Sequence, residues 1–199
     1  IWPRIDPDDI LILGSYYAVN PSLRYRITEF LEYARERKAI IYYDPNFRKA
    51  HAHEAMRITP SLLENFEYAD IIGSEEDFET LFNLSDPGKV YLDKIKFYCP
   101  NFIYTRGPKG VELFTAQTHL HFDVPQIKPV STIGAGDNFN AGLLYGILRE
   151  NISRSQLENL SPGKWSDIIS SGIDFSLEVC NSYDNYISTE FAAKYRTTH

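Results

Sequence analysis

The sequence predicts an α/β protein, a three-layer α/β/α arrangement in which helices cover both faces of a mainly parallel sheet. Apolar, β-rich runs alternate along the chain with segments whose apolar residues recur at helical spacing, and the runs stop at Gly, Ser or Asp-Pro. The 199 residues, 43% hydrophobic and 24% charged, suffice for one sizeable core, so residues 1–199 are expected to form a single domain.

The elements follow in order. "DDILILGSYY" (8–17), bounded by Pro7 and Pro21, reads as a buried strand. "SLRYRITEFLEYARERK" (22–38) places Leu23, Ile27, Phe30, Leu31 and Ala34 near helical spacing and ends in cations that suit a helix C-terminus. "AIIYYDPNFR" (39–48) is a strand stopped by Asp44-Pro45, because proline donates no amide and restrains the residue before it. "TPSLLENF" (59–66) predicts a short helix with Thr59 as N-cap and Pro60 at its first position. "ADIIGS" (69–74) is a short strand, and "SEEDFETLFNL" (74–84) a helix opened by Ser74. "VYLDKIKFYC" (90–99) fits another helix, and "NFIYTRGPKGVELFT" (101–115) two strands around a Gly-Pro-Lys-Gly turn. "HLHFDVPQIKPV" (119–130) is extended, with Pro125 and Pro129 favouring an edge or an exit from the sheet. "NFNAGLLYGILREN" (138–151) and most of "WSDIISSGIDFSLEVCNSYDNYIS" (165–188) are helices, the first with a face of small residues.

Composition narrows the function classes. A net charge of −7 argues against broad contact with nucleic acid or anionic lipid, and no apolar run approaches the ~20 residues of a membrane helix. Tyrosines and phenylalanines are abundant, but basic residues do not interleave with them, so core packing explains them better than base stacking. Cys99 and Cys180 stand far apart, without C-x-x-C spacing, and no secretory signal opens the chain, so a reducing, cytoplasmic setting is expected. His51 with His53 and His119 with His121 are pairs two residues apart; no Cys, Asp or Glu at ligand spacing completes either, so no zinc site is expected.

The stretch "STIGAGDNFNAG" (131–142) carries the chemistry. Glycine lets backbone approach a ligand closely, and the amides of Ile133 to Asp137 would lie at the start of a helix, where unpaired N–H groups and the dipole favour an anion. Asp137 sits where a carboxylate is unwelcome beside an anionic ligand unless it takes a proton. Read alone, the stretch fits equally a glycine turn with Asp137 capping the helix.

Four segments in order decide between these. Asp44-Pro45-Asn46-Phe47-Arg48 is similar to a D-P-N-x-R motif; "ADIIGSEEDFETLF" to an N-x-x-E segment, with Ser74 for the Asn and Asp77 for the Glu; "YTRGPKG" to T-x-G-x-x-G at Thr105, Gly107 and Gly110; and "STIGAGDNFNAG" to D-T-x-G-A-G-D-x-F-x-x-G. The chain thus resembles the ribokinase-like (PfkB) carbohydrate kinases, within them the fructokinase-like members. The resemblance implies transfer of the γ-phosphoryl group of ATP to a sugar hydroxyl, the sugar being a ketose such as fructose. Asp137 would be the general base, and the Gly134, Ala135 and Gly136 amides the anion hole. Thr105, Gly107 and Gly110 would lie beside the nucleotide with Ser74, and Asn181 and Ser182 would form part of the adenine wall. Asn46 and Arg48 would reach the phosphates, and Asp77 and Glu76 would organise Mg²⁺ through water.

Departures from the pattern qualify this. Ser131 stands where the family has an aspartate, and "NSYDNYIS" (181–188) lacks the family's Gly-Ala, places that help relatives hold a monovalent cation; a potassium requirement is therefore doubtful. The family's opening third, with its lid, first strands, most sugar contacts and a homodimer surface, is not found in the sequence. Two other readings compete: a dehydrogenase, which Phe139 opposes by replacing the third glycine of G-x-G-x-x-G, and a non-catalytic nucleotide- or sugar-binding relative, toward which Ser74 and Ser131 point.

Overall fold

The computed structural model describes residues 2–47, 49–75 and 77–198. The chain divides into two compact units, residues 1–121 with 153–159 and residues 122–152 with 160–199.

The first unit is built on strands β1 (Ile10–Gly14), β2 (Ile40–Asp44), β3 (Ile71–Ser74), β4 (Phe102–Thr105), β5 (Val111–Phe114) and β6 (His119–Phe122), whose order in the sheet is their order in the chain. β1 to β4 run parallel, and β5 turns back antiparallel to β4. The parallel strands are joined by α1 (Arg24–Glu36), by α2 (Ala55–Tyr68), and by α3 (Asp77–Phe82) with α4 (Pro87–Val90), which continues through a wider helical turn to Ile95. Fully buried residues of β2 to β4, among them Tyr43, Ile72, Phe102 and Tyr104, pack with Ile58, Leu62 and Phe66 of α2, Phe78 of α3 and Val90 of α4. Leu31 and Ala34 of α1 pack with Ile5, Ala39 and Ile41.

The segment 153–159 is fastened to this unit by Arg154. Its guanidinium donates to Asp70 at 2.8 Å and its amide to Asp8 at 2.9 Å, while Asp70 also accepts the Ile41 amide at 2.9 Å. Burial raises the Asp70 carboxyl, and the Ile41 amide and Arg154 act against that rise.

The second unit contains α5 (Ala135–Arg149), α6 (Pro162–Cys180) and α7 (Thr189–Thr198). The small face expected of α5 is the one that meets α6. A Cβ on Gly142 would lie 2.4 Å from the Ser171 carbonyl, and one on Gly146 3.0 Å from the Ile168 Cα. Tyr145, Phe175, Phe191 and Tyr195 form an aromatic cluster that seats α7, with neighbouring centroids 5.2 to 5.7 Å apart.

Three sequence expectations are corrected, and one helix is added. The buried strand at 8–17 is half exposed, with Ile12 53% accessible, because β1 pairs on one side alone, with β2. The helix expected at 59–66 begins earlier, at Ala55, and takes Pro60 into its interior; Thr59 does not cap it but bonds back to the Ala55 carbonyl at 2.7 Å. Ser74 ends β3 instead of opening the next helix, its hydroxyl donating to the Glu75 carbonyl at 2.9 Å. α7 was not foreseen, although Ser188 caps it by accepting the Phe191 amide at 3.0 Å. No helix among the described residues is long and apolar enough to cross a membrane.

Candidate active site

In the first unit the sequence motifs fall at the carboxyl ends of parallel strands, the edge of an open α/β sheet where ligands bind. β2 ends at Asp44, whose carboxylate accepts the Asn46 amide at 3.0 Å; Asn46 itself is exposed, at φ 42°. Arg48 and Glu76 lie outside the described residues, and of Asp77 only its place at the start of α3 is described. Ser74 and Thr105, at the ends of the adjoining strands β3 and β4, are brought together: the Thr105 hydroxyl donates to the Ser74 carbonyl at 3.2 Å. Beyond Thr105 the chain closes a tight loop, in which the Arg106 amide donates to the Gly110 carbonyl at 3.0 Å and the Gly110 amide to the Gly107 carbonyl at 3.1 Å. Burial, then the charges of Asp44 and Glu75, push the Tyr42 phenol well above its ordinary value, so it stays a neutral hydroxyl behind this edge.

The second unit carries the remaining candidates at one end of the α5 and α6 pair. The Val130 amide donates to the Cys180 carbonyl at 2.8 Å, which ties the approach to α5 to the end of α6. Asn181 and Ser182 follow Cys180: Asn181 donates to the Leu177 carbonyl at 3.0 Å, and the Ser182 hydroxyl accepts the Asp184 amide at 3.0 Å. Burial pushes the Cys180 thiol up, so it is a protonated neighbour and no nucleophile.

Gly134 is the N-cap of α5, in the left-handed conformation at φ 81°. That conformation is strained for any residue with a Cβ, and a Cβ here would meet the Asn185 Cβ and carbonyl at 3.0 Å. The Ala135 amide donates to the Thr132 carbonyl at 3.2 Å, whereas the Gly136 and Asp137 amides have no acceptor among the described residues. Asp137 lies exposed in the first turn, and its carboxylate makes no hydrogen bond or ion pair among the described residues. It is therefore not a side-chain cap, which removes the bland alternative for this residue. The result is a helix start with open donors and an uncommitted carboxylate, suited to holding a developing anion and accepting a proton.

Two features escaped the sequence. Asn138 donates through Nδ2 to the carbonyls of Gly134 and Asn185, each at 2.9 Å. Glu112 on β5 lies between the two β6 histidines, 2.7 Å from His119 Nε2 and 2.9 Å from His121 Nδ1. Period-two spacing does show that the two histidines share a face, but their partner on the next strand is set by register. Among the described residues no group of three or more His, Cys, Asp or Glu is arranged to hold a metal ion.

Comparison with known proteins supplies the context. The sequence model of the pfkB family carbohydrate kinases matches residues 1–159. Over 138 residues the chain is 28% identical to Probable fructokinase-3 of Arabidopsis thaliana, covering 68% of this chain and 40% of that protein. The fold superposes on aminoimidazole riboside kinase from Salmonella enterica, complexed with aminoimidazole riboside and an ATP analog, with a TM-score of 0.78 at 20% identity, covering 96% of this chain and 64% of that one. It also superposes on a fructokinase double mutant from Vibrio cholerae O395 in its fructose, ADP and potassium ion bound form, with a TM-score of 0.77 at 18% identity, covering 92% of this chain and 57% of that one. At these identities the structural likeness speaks for the fold, and the chain spans less than two thirds of each of these proteins.

Proposed function

The chain belongs to the pfkB family of carbohydrate kinases, and on that premise we propose that it is the nucleotide-binding portion of an ATP-dependent sugar kinase, a phosphotransferase that moves the γ-phosphoryl group of ATP to a hydroxyl of a small sugar, a ketose such as fructose. The observation that carries this is the start of α5: a left-handed Gly134, open amides and the uncommitted Asp137 within one helical turn.

In this reading Asp137 accepts the proton of the sugar hydroxyl as its oxygen attacks the γ-phosphorus, and the bond from that phosphorus to the β,γ-bridging oxygen breaks, releasing ADP. Charge on the transferring group is met, within the Gly134, Ala135 and Gly136 segment, by the open Gly136 amide, together with that of Asp137 and the positive end of the α5 dipole; the Ala135 amide is engaged with the Thr132 carbonyl. Such a site works by positioning and charge stabilisation, with little covalent work for the protein. Ser74, Thr105, Gly107 and Gly110 flank the nucleotide, Asn181 and Ser182 form part of the adenine wall, and Asn46 and Arg48 serve the phosphates. Asp77 and Glu76 would hold Mg²⁺ through water, and the ion would supply neutralisation of phosphate charge. We further read residues 1–199 as one ribokinase-like domain, in a cytoplasmic setting in keeping with the free Cys99 and Cys180.

The test is ADP release by the natural-length protein with Mg-ATP and a panel of sugars, beside Asp137→Asn. Sugar-dependent release should fall about 10² to 10⁴-fold in the variant, with ATP affinity little changed. ATP binding without sugar-dependent turnover would favour a non-catalytic binding relative, and failure to bind ATP would end the kinase reading.

A further inference from the structure

We propose that Asn138 is a positioning residue, whose side-chain amide clamps the Gly134 turn to the loop after α6 and so aims the opening of α5. This rests on the kinase reading of the α5 N-terminus.

The geometry dictates the residue type. Two carbonyl oxygens, of Gly134 and Asn185, lie 2.9 Å from one nitrogen of Asn138. A primary amide has two hydrogens to offer, one for each. A carboxylate of the same shape has none and would face both oxygens with negative charge, and a serine hydroxyl could satisfy just one. The Gly134 carbonyl is gripped twice, because the Asn138 backbone amide also donates to it at 2.9 Å.

The grip matters because a peptide unit is planar. Holding the Gly134 carbonyl fixes the plane it shares with the Ala135 amide, and with it the direction in which the helix and its next two amides start. The loop side is equally confined: Asn185 packs on the bare face of Gly134, where a Cβ would come within 3.0 Å of it. That loop begins with Asn181 and Ser182, assigned above to the nucleotide wall. Asn138 therefore mechanically joins the nucleotide-facing loop to the turn that receives the phosphoryl group, and it stands next to the proposed base.

The test compares Asn138→Asp with Asn138→Ala in the natural-length protein. If Asn138 merely filled space, the isosteric Asp would be the milder change. A clamp demands the reverse order, with Asp the worse because it repels both carbonyls. The expected result is a kcat about ten- to a hundred-fold lower in Asn138→Asp, a smaller loss in Asn138→Ala, and a sugar KM within about twofold of wild type in both. Hydrogen exchange without any substrate should show faster exchange at 181–186 and at the first turn of α5, again more in Asp than in Ala. Wild-type-like kinetics in both variants, or Ala worse than Asp, would overturn the proposal. A wild type that turns over no sugar would instead remove the kinase reading and the positioning role with it, while the exchange data would still report whether the clamp holds.

Discussion

A single methyl group placed between α5 and α6 tests the packing that carries the proposed base. In Gly142→Ala the new Cβ would lie 2.4 Å from the Ser171 carbonyl and 2.8 and 2.9 Å from Cγ and Cβ of Phe175. The first of these is backbone of the facing helix, so no side-chain rotation relieves it and the helices must separate. Overpacking of this kind costs about 1 to 3 kcal/mol, and the backbone contact puts the change at the upper end. Replacing glycine inside a helix returns up to about 1 kcal/mol, leaving a net loss of about 2 kcal/mol. For a chain of this size that lowers Tm by roughly 4 to 8 °C. Gly146→Ala, whose Cβ would approach the Ile168 Cα at 3.0 Å, should be near neutral, because a smaller overlap offsets the same helical gain. Gly163→Ala, whose nearest neighbour is the Ser161 hydroxyl at 4.0 Å, should be neutral to slightly stabilising. Urea denaturation at 25 °C followed by circular dichroism gives all three against wild type, provided the m-values agree. A Gly142→Ala as stable as wild type, or the order of the three reversed, would refute the close contact of α5 with α6.

Two further predictions concern pH and cooperativity. Burial tends to raise the Glu112 carboxyl, but hydrogen bonds from His119 and His121 hold it below its ordinary value; a depressed carboxyl contributes stability that is complete above the unfolded pKa and is lost as pH falls through the folded one. The stability difference between wild type and Glu112→Gln, from urea midpoints, should accordingly be fully present above the ordinary glutamate value of about 4.3 and shrink as pH drops past it; a difference that does not change on acidification through that range would sink this account. Trp2 lies in the first unit, against Phe30 with centroids 4.8 Å apart, and Trp165 is buried in the second. If residues 1–199 form one domain, the thermal transition of Trp165→Phe followed by Trp2 fluorescence should coincide with its circular dichroism transition, and two separated transitions would show units that unfold independently.

Much of the fold could be read because its signals are local. Ile40 to Tyr43 and Ile71 to Ile72 are apolar without a break, as strands buried on both faces must be, and Asp44-Pro45 stops β2 where it is observed to stop. The misreadings arose where a local rule met a tertiary one. Thr59-Pro60 is a sound helix start by composition, yet the residues before it also wind into α2, and burial of Ile58, Leu62 and Phe66 sustains the helix through the proline. Ser74 has the form of a cap, but pairing of β3 with β4 keeps it in the sheet. For the candidate site, the glycine and carboxylate pattern of 134–137 was visible because the chemistry lies in consecutive residues. The Asn138 clamp was not, since its second partner is a backbone carbonyl 47 positions away that no residue type announces.

Two of the places where the sequence departs from the family pattern, Ser131 and 181–188, prove to be physically joined. Ser131 and the 181–188 segment are far apart in the chain, yet the Val130 amide bonds the Cys180 carbonyl and the Gly134 turn rests on Asn185, so both flank one backbone junction. The Ser131 hydroxyl accepts the Ile133 amide at 3.2 Å, a bond an aspartate in its place could also make. What aspartate would add is charge. With a cation beside it that charge is neutralised; without one it would stand a few residues from the amides proposed to receive the transferring phosphoryl group and oppose the field they create. A neutral serine keeps the turn and removes the opposing charge. On the kinase reading proposed above, the chemistry at Asp137 draws on the start of α5, whose left-handed Gly134 and open Gly136 and Asp137 amides do not depend on the residue at 131.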